Sequence, residues 1–263
     1  NVRASIGSEP PQGLEYAYKG LIGALTPQAN TTVEPEFSIL LPPGIAMLTT
    51  RLVSGKDTVE ERLMDYADQI GVSLDHFANA PIQAAAFACT GASYLAGRER
   101  EAEICHRLEQ SRSYEIVTAA RAVTASLQAL GAQTIGLVSP YSPHLTKASV
   151  AYWQSAGFEV AQVAAVSNDD PDFHAIYSLQ AGGSLDALRS LEDKALDAIV
   201  MLGTGMPTLR TILDVADWSG PPVTSSMLSL AWRSVLSIDA VAPDRENMLA
   251  WTSGDNWRGR MTR

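Results

Sequence analysis

Short apolar runs and amphipathic segments alternate along the chain, and this pattern predicts alternating strands and helices. The apolar runs are bounded by turn-forming residues and cover residues 20–26, 44–52, 82–89, 116–118, 134–139, 158–166, 198–202 and 223–224. The run over 82–89 is almost entirely apolar, which is typical of a strand buried on both faces of a parallel sheet. Because strands that alternate with helices are joined by right-handed crossovers, we expect parallel sheets covered by helices.

The segments between these runs have helical character. Thr58 and Glu61 form a capping-box pattern, which predicts a helix that runs on towards Ile70. Further helices are predicted after Thr31 or Thr32 and over residues 98–110, 119–130, 145–156, 173–177, 184–191, 207–215 and 226–235. The last stretch, residues 243–263, has no clear period, and we expect an irregular tail that packs across a neighbouring subunit.

Three short sequence elements recur in the same order in the two parts of the chain. Residues 22–27 resemble 135–140, residues 88–91 resemble 202–205, and residues 116–118 resemble 222–224. The predicted fold is therefore α/β, with two similar three-layer α/β/α halves, each holding a parallel four-stranded sheet. We expect a pseudo-twofold relation between the halves and a cleft between them.

This repeat also suggests how the chain is divided. The predicted division is an N-terminal arm over 1–18, a first half over 19–131 with part of 222–240, a second half over 132–221, and a C-terminal tail over 241–263.

Composition and charge narrow the class of function. The net charge of −10 over 263 residues argues against a nucleic-acid-binding protein, which needs a clustered positive face. No apolar run approaches the roughly 18–20 residues of a membrane span, and the polar first residues lack the apolar core of a signal peptide. Two cysteines in a chain of this length are not a disulfide framework, so a reducing cytoplasm is the expected compartment.

Cys89 is the leading candidate for chemistry. It follows a predicted buried strand, at the end where α/β proteins bind ligands, and the Thr90-Gly91 loop beside it offers a hydroxyl and backbone N–H groups. Such N–H groups would lower the thiol pKa and bind a carboxylate. The alternative is a buried structural cysteine. Cys105 lies on a charged helix without such a context, and we interpret it as structural.

The second half offers a matching loop without a thiol. Gly203, Thr204 and Gly205 form either an anion-binding loop opposite Cys89 or only a tight turn after a strand. Tyr141 follows the strand that mirrors the first one, so its phenol either reaches the cleft or packs elsewhere. Asn30 lies in the equivalent loop of the first half, where it is either a site residue or a turn residue.

No cofactor or metal site is predicted. The four histidines, His76, His106, His144 and His174, have no metal-ligand spacing. The chain also lacks a G-x-S-x-G element, a Walker A motif and a dinucleotide fingerprint after a strand. We therefore expect cofactor-free chemistry.

Residues 26–36, Thr-Pro-Gln-Ala-Asn-Thr-Thr-Val-Glu-Pro-Glu, resemble the maleate cis-trans isomerases of the aspartate/glutamate racemase superfamily, to which arylmalonate decarboxylase is related. The resemblance continues through residues 88–90, 139–141, 202–205 and 223–226. It implies the fold described above, a small carboxylate substrate, and a homodimer or higher homo-oligomer. It also implies that Asn30 and Tyr141 hydrogen-bond substrate carboxylates, that Cys89 is a nucleophile or acid/base, and that the loops Thr90-Gly91 and Thr204-Gly205 bind anions.

The chain departs from this family at one position. The isomerases carry two cysteines that face each other across the cleft, and the second is replaced here by Gly203, whereas the decarboxylase has its single cysteine on that opposite side. This loss argues against a two-base racemase. The leading hypothesis is a maleate-isomerase-like enzyme that acts through Cys89 and an enediolate-type intermediate. The alternatives are a decarboxylase or lyase with Cys89 as the single proton donor, and a non-catalytic protein that binds small acids.

Overall fold

A computed structural model describes residues 13–166, 176–177 and 179–261. Within these residues the strands form two four-stranded, all-parallel sheets. The first sheet has the order β2-β1-β3-β4 and consists of β1 (Gly20–Pro27), β2 (Ile45–Leu52), β3 (Ala84–Phe87) and β4 (Glu115–Thr118). The second has the order β6-β5-β7-β8 and consists of β5 (Thr134–Ser139), β6 (Glu159–Ala165), β7 (Ala198–Met201) and β8 (Val223–Ser225). The same strand order in both sheets confirms the predicted α/β fold of two similar halves.

Helices connect the strands and cover the sheets. In the first half they are α1 (Val33–Leu40), α2 (Val59–Asp68), α3 (Ile70–Asp75), α4 (Thr90–Ala96), α5 (Arg98–Arg112) and α6 (Ala119–Leu130). Later in the chain they are α7 (Pro143–Ser155), α8 (Ala181–Arg189), α9 (Leu209–Asp214), α10 (Ser226–Ile238) and α11 (Arg245–Thr252). Residues 173–175 of the helix predicted over 173–177, and most of the predicted N-terminal arm, lie outside the described residues.

The central strands carry the core. Every residue of β1, β3 and β7 is buried, because helices cover both faces of each sheet there. The strands β2 and β6 lie at the sheet edges and are more exposed, β6 almost throughout. No helix in the described ranges has the length and apolar character needed to cross a membrane.

Helix α10 connects the two halves. It follows β8, which pairs with β7 in the second sheet, and it packs against α6, β3 and α1 of the first half. Buried Ser229 on α10 and Ser126 on α6 share a hydrogen bond of 3.0 Å. The division of the chain at residues 131 and 221 stays a prediction.

The C-terminal segment differs from the prediction of an irregular tail. Asp244 and Asn247 form a capping box that starts α11. The main-chain N–H of Asn247 donates to the Asp244 carboxylate at 2.8 Å. Trp251 and Trp257 are buried, and the Trp257 indole N–H donates to the Trp251 carbonyl at 2.8 Å. The prediction was wrong because Asp-x-x-Asn departs from the usual Ser/Thr-x-x-Glu/Gln pattern of a capping box, and because the helix is stabilised mainly by burying its tryptophan.

The same segment covers its own chain. The guanidinium group of Arg260, in the short 3₁₀ helix Arg258–Arg260, donates to the carbonyl groups of Ile39 at 2.6 Å and Leu40 at 3.0 Å, at the end of α1. These bonds satisfy carbonyl groups that a helix leaves free at its carboxyl end. The C-terminal segment therefore packs against α1 of the first half of its own chain.

Candidate active site

The carboxyl ends of β1, β3, β5 and β7 surround a cavity of about 390 Å³ between the two halves. Ligands of open α/β sheets bind at this end of the strands. All eight site residues that the sequence predicts line this cavity, namely Asn30, Cys89, Thr90, Gly91, Tyr141, Gly203, Thr204 and Gly205. The structure therefore brings together residues that lie as far as 175 positions apart in the chain.

Cys89 follows β3 directly and is the N-cap residue of α4. Thr90 and Gly91, predicted as a loop, are the first residues of this helix, so their neighbourhood provides N–H groups without intrahelical partners. The thiol is free and 4% exposed. Burial raises its pKa to about 12, although the Ala92 N–H acts in the opposite direction. The expectation of a lowered pKa was wrong, because loss of hydration outweighs one N–H group.

Gly203 takes the place opposite this thiol. Its φ of +87° lies in the left-handed region that favours glycine. A Cβ atom at this position would lie 3.1 Å from the Tyr141 hydroxyl. The Gly203 N–H donates to the Ser226 Oγ at 3.1 Å, which holds the loop on the start of α10. The second half thus contributes backbone and no nucleophile at this position.

Thr204 joins the two halves across the floor of the cavity. Its hydroxyl donates to the Ala88 carbonyl at 2.8 Å, directly before Cys89, and the Asn30 Nδ2 lies 3.4 Å from the same hydroxyl oxygen. Gly205 is constrained as well, because a side chain there would overlap the ring of Tyr177. These contacts set the position of the loop at 203–205 relative to Cys89.

Asn30 has a structural task in addition to its place in the cavity. Its Oδ1 accepts hydrogen bonds from the N–H groups of Thr32 at 2.8 Å and Val33 at 3.2 Å, at the start of α1. Thr32 is the N-cap residue, as predicted, but its hydroxyl donates to the Gly205 carbonyl at 2.6 Å and makes no capping bond. The Asn30 Nδ2 donates one N–H to the Thr204 Oγ1 at 3.4 Å, and its second N–H is the group that a ligand could accept from.

Tyr141 lies in the loop after β5, as the repeat predicts. Its hydroxyl is 2.9 Å from the Thr90 Oγ1, so the two hydroxyl groups share a hydrogen bond across the boundary between the halves. Burial raises the pKa of Tyr141 well above its usual value, and the phenol is protonated at neutral pH. It is therefore a hydrogen-bond donor in the cavity.

Sequence reasoning missed the wall of the cavity. This wall includes Val59, Leu63, Tyr66, Leu145, Val166, Ile176 and Tyr177. Most of these residues lie on helices or in connections far from the strand ends. An apolar period there predicts that a side chain is buried, but it does not predict whether the side chain packs in the core or lines a cavity. The hydrophobic face of α2 was the available signal, since it carries Leu63 and Tyr66 at helical spacing.

The electrostatics of the cavity come from neutral donors. Among the described residues that line it, Glu60 is the one charged side chain. An anionic ligand would therefore be bound by hydroxyl groups, N–H groups and the start of α4 rather than by a guanidinium or ammonium group. In the described ranges no group of three or more His, Cys, Asp or Glu side chains is placed to hold a metal ion.

Comparison with known proteins gives one family and several similar structures. The family model of arylmalonate decarboxylase matches residues 22–248. A maleate isomerase of Geobacillus stearothermophilus is 25% identical over 234 residues, which cover 83% of this chain and 91% of that protein.

Two solved structures have a similar fold. One is a Nocardia farcinica maleate cis-trans isomerase, in which one cysteine is replaced by serine and a succinylcysteine intermediate is covalently bound (TM-score 0.76, 24% identity, 87% of this chain and 98% of that chain). The other is a liganded arylmalonate decarboxylase variant in which one glycine is replaced by cysteine and one cysteine by serine (TM-score 0.73, 20% identity, 83% and 92%).

The family match spans most of the chain, and it agrees with the resemblance that residues 26–36 and the two Thr-Gly elements indicated. The chain belongs to the arylmalonate decarboxylase family.

Proposed function

We propose that the protein is a cofactor-free isomerase that converts a cis-unsaturated dicarboxylate of the maleate type into its trans isomer through Cys89. The observation that carries this proposal is the position of the Cys89 thiol, in a cavity between two facing loops that offer hydroxyl and N–H donors. The maleate isomerase relatives support the same reaction.

One thiol is sufficient for this reaction. The Cys89 sulfur adds to one alkene carbon, and the electron pair of the double bond moves onto the neighbouring carboxylate, which becomes an enediolate. The thiol proton passes to a carboxylate oxygen as the C–S bond forms, so a buried neutral thiol can react without first becoming a free thiolate. The former double bond is now a single bond and rotates. Return of the proton and the electron pair expels the sulfur and restores the double bond in the trans form.

The roles of the other residues follow from where charge develops. Thr90, Gly91, Thr204 and Gly205 would bind the two carboxylates from opposite sides, and Tyr141 would donate to one of them. Donors that are already in place stabilise the enediolate at little cost in reorganisation. The succinylcysteine in the Nocardia farcinica variant, in which one cysteine is replaced by serine, supports addition of a single cysteine sulfur to the substrate carbon.

Decarboxylation of a substituted malonate is the second candidate. Here Cys89 would deliver one proton to the carbanion left by carbon dioxide. The apolar residues Leu63, Leu145 and Ile176 favour it, because an apolar wall destabilises a carboxylate that is about to leave and accommodates a bulky side group. The decarboxylase variant with cysteine in place of one glycine and serine in place of one cysteine is a relative with a comparable arrangement. A protein that binds small acids without reaction is the third candidate.

Proton NMR in deuterated buffer separates these candidates. We expect maleate to give fumarate without deuterium on carbon, because the proton in the proposed step moves between sulfur and oxygen. Phenylmalonate that loses carbon dioxide and gains deuterium at the α-carbon would instead establish the decarboxylase. Cys89→Ala should lower the rate at least about 10³-fold, while Cys105→Ala serves as the control for a buried cysteine outside the cavity. If the protein catalysed neither of these two conversions, the result would contradict both enzymatic proposals.

The homo-oligomeric state and the cytoplasmic compartment that the sequence indicated stay predictions.

A further inference from the structure

Tyr66 lies in the cavity on the side of α2. This helix packs against α4, the helix that begins next to Cys89. The tyrosine side chain is fully buried, and it lines the cavity together with Leu63 and Cys89. Leu63 packs closely against Gly91 on α4: a Cβ atom at Gly91 would lie only 3.1 Å from the Leu63 side chain.

The Tyr66 hydroxyl has no hydrogen-bond partner among the described residues. The Gln28 N–H is near, but it is a donor and cannot accept the phenol proton. A buried hydroxyl without an acceptor is costly, and native proteins rarely keep one unless a ligand or water completes it. The hydroxyl belongs to a residue of the cavity, so the missing acceptor is expected there.

Several of the other donors of the cavity already have partners in the folded chain. Tyr141 and Thr90 are hydrogen-bonded to each other, and the Thr204 hydroxyl donates to the Ala88 carbonyl. The cavity has no cationic side chain among its described lining residues. A dicarboxylate brings several acceptor oxygens, and the Tyr66 phenol is a neutral donor whose proton has no acceptor in the folded chain.

Tyr66 is also close enough to Cys89 for their charges to interact. Burial, followed by repulsion from Cys89 in its ionised form, raises the pKa of Tyr66 to about 12. The phenol is therefore protonated at neutral pH and available as a donor. It is near the atoms on which negative charge develops when the sulfur adds.

We propose that Tyr66 is a substrate-binding residue whose hydroxyl donates a hydrogen bond to a substrate carboxylate and to the enediolate formed from it. This proposal rests on the proposed function for its reaction, and on the orphaned hydroxyl in the cavity for its geometry. The carboxylate supplies the acceptor that the folded chain lacks.

The test compares Tyr66→Phe with Tyr94→Phe. Both changes remove one hydroxyl from a buried tyrosine. Neither hydroxyl has an acceptor among the described residues, and each lies near one donor, Gln28 for Tyr66 and Thr90 for Tyr94. Tyr94 lies on α4 but does not line this cavity. We expect Tyr66→Phe to lower kcat/KM for maleate about 10- to 100-fold, mainly through kcat, because the bond strengthens as charge develops. Tyr94→Phe should stay within about twofold, and both variants should unfold close to the wild type.

Binding of succinate, a saturated dicarboxylate, is measured by calorimetry with the same three proteins. Weaker binding by Tyr66→Phe alone, about tenfold, would support Tyr66 as a carboxylate ligand even if the wild type turned over neither maleate nor phenylmalonate. Equal effects of the two substitutions, no effect of Tyr66→Phe, or no binding of succinate to the wild type would overturn the proposal.

Discussion

At the scale of single residues, Gly203 determines how this cavity differs from one with two thiols. Its left-handed backbone and the nearby Tyr141 hydroxyl leave little room for any side chain. The Tyr141 hydroxyl is held at its place by Thr90 in the other half. A side chain at 203 would therefore strain the backbone and disturb a donor that we assign to the substrate.

Gly203→Ala tests this constraint. We expect it to lower the free energy of unfolding by about 1–2 kcal/mol, because a residue with a Cβ atom is disfavoured at a positive φ. Gly182→Ala is the matched control, since Gly182 lies on α8 with nothing within 4 Å of an added Cβ atom and without a positive φ. The control should be neutral or stabilising by up to about 1 kcal/mol in urea unfolding. Equal results for the two variants would contradict the argument.

At the scale of elements, Glu36 joins α1 of the first half to α9 of the second. Its Oε1 accepts hydrogen bonds from the N–H groups of Thr208 at 2.6 Å and Leu209 at 3.3 Å, and its Oε2 accepts one from the Thr208 hydroxyl at 3.2 Å. The residue is 5% exposed. Burial raises its pKa to about 7, although these hydrogen bonds lower it. This contact holds α1 against the segment that follows the loop at 203–205.

Glu36 should make stability depend on pH. Because the pKa is raised in the folded state, the carboxyl group contributes its full stability below pH 4.5, and this contribution is lost as the pH rises through about 7. Glu36→Gln cannot titrate. We expect the free energy of unfolding of the wild type, relative to this variant, to fall by up to about 3 kcal/mol between pH 5 and pH 8.

Urea unfolding at four pH values in this range measures that difference. Glu103→Gln, the same change at an exposed position of α5, is the control for the chemistry of the substitution. Its effect on the free energy of unfolding at neutral pH should stay within about 0.5 kcal/mol. A difference between wild type and Glu36→Gln that does not vary with pH would rule out a titrating Glu36.

At the scale of the whole molecule, the two halves share one hydrophobic core. The buried apolar residues of both sheets form a single cluster, and α10 packs its buried face against the first half while it continues from β8 of the second. Thr204, Thr32 and Glu36 add hydrogen bonds from one half to the other. The cavity lies where these contacts meet, so its geometry depends on both halves being folded.

We therefore expect thermal unfolding in one cooperative transition. Near-ultraviolet circular dichroism reports the packing of Trp153 in α7 and of Trp232 in α10, while far-ultraviolet circular dichroism reports all helices. Because the two halves share one core, unfolding of one half would expose apolar side chains of the other. The two signals should therefore change at the same temperature. Separate transitions would show that the halves unfold independently.

Much of this architecture was predictable from sequence because it depends on local periodicity. The strand β5 and the helix α6 have the predicted bounds, and the capping box at Thr58 starts α2 as expected. The short helices α3, α4 and α11 were missed. They have six to eight residues, so tertiary burial rather than propensity stabilises them.

The sequence by itself determined the alternation of strands and helices, the internal repeat, and the end of the sheets at which Cys89 and Gly203 lie. These features follow from hydrophobic period and from the direction of parallel strands, which are local properties. The tertiary structure alone decided that the Cys89 thiol is buried and neutral, that Asn30 caps α1 while facing the cavity, and that the Tyr66 hydroxyl is left without an acceptor. Hydration and hydrogen-bond partners depend on which distant residues surround a group, and only the packed chain specifies them.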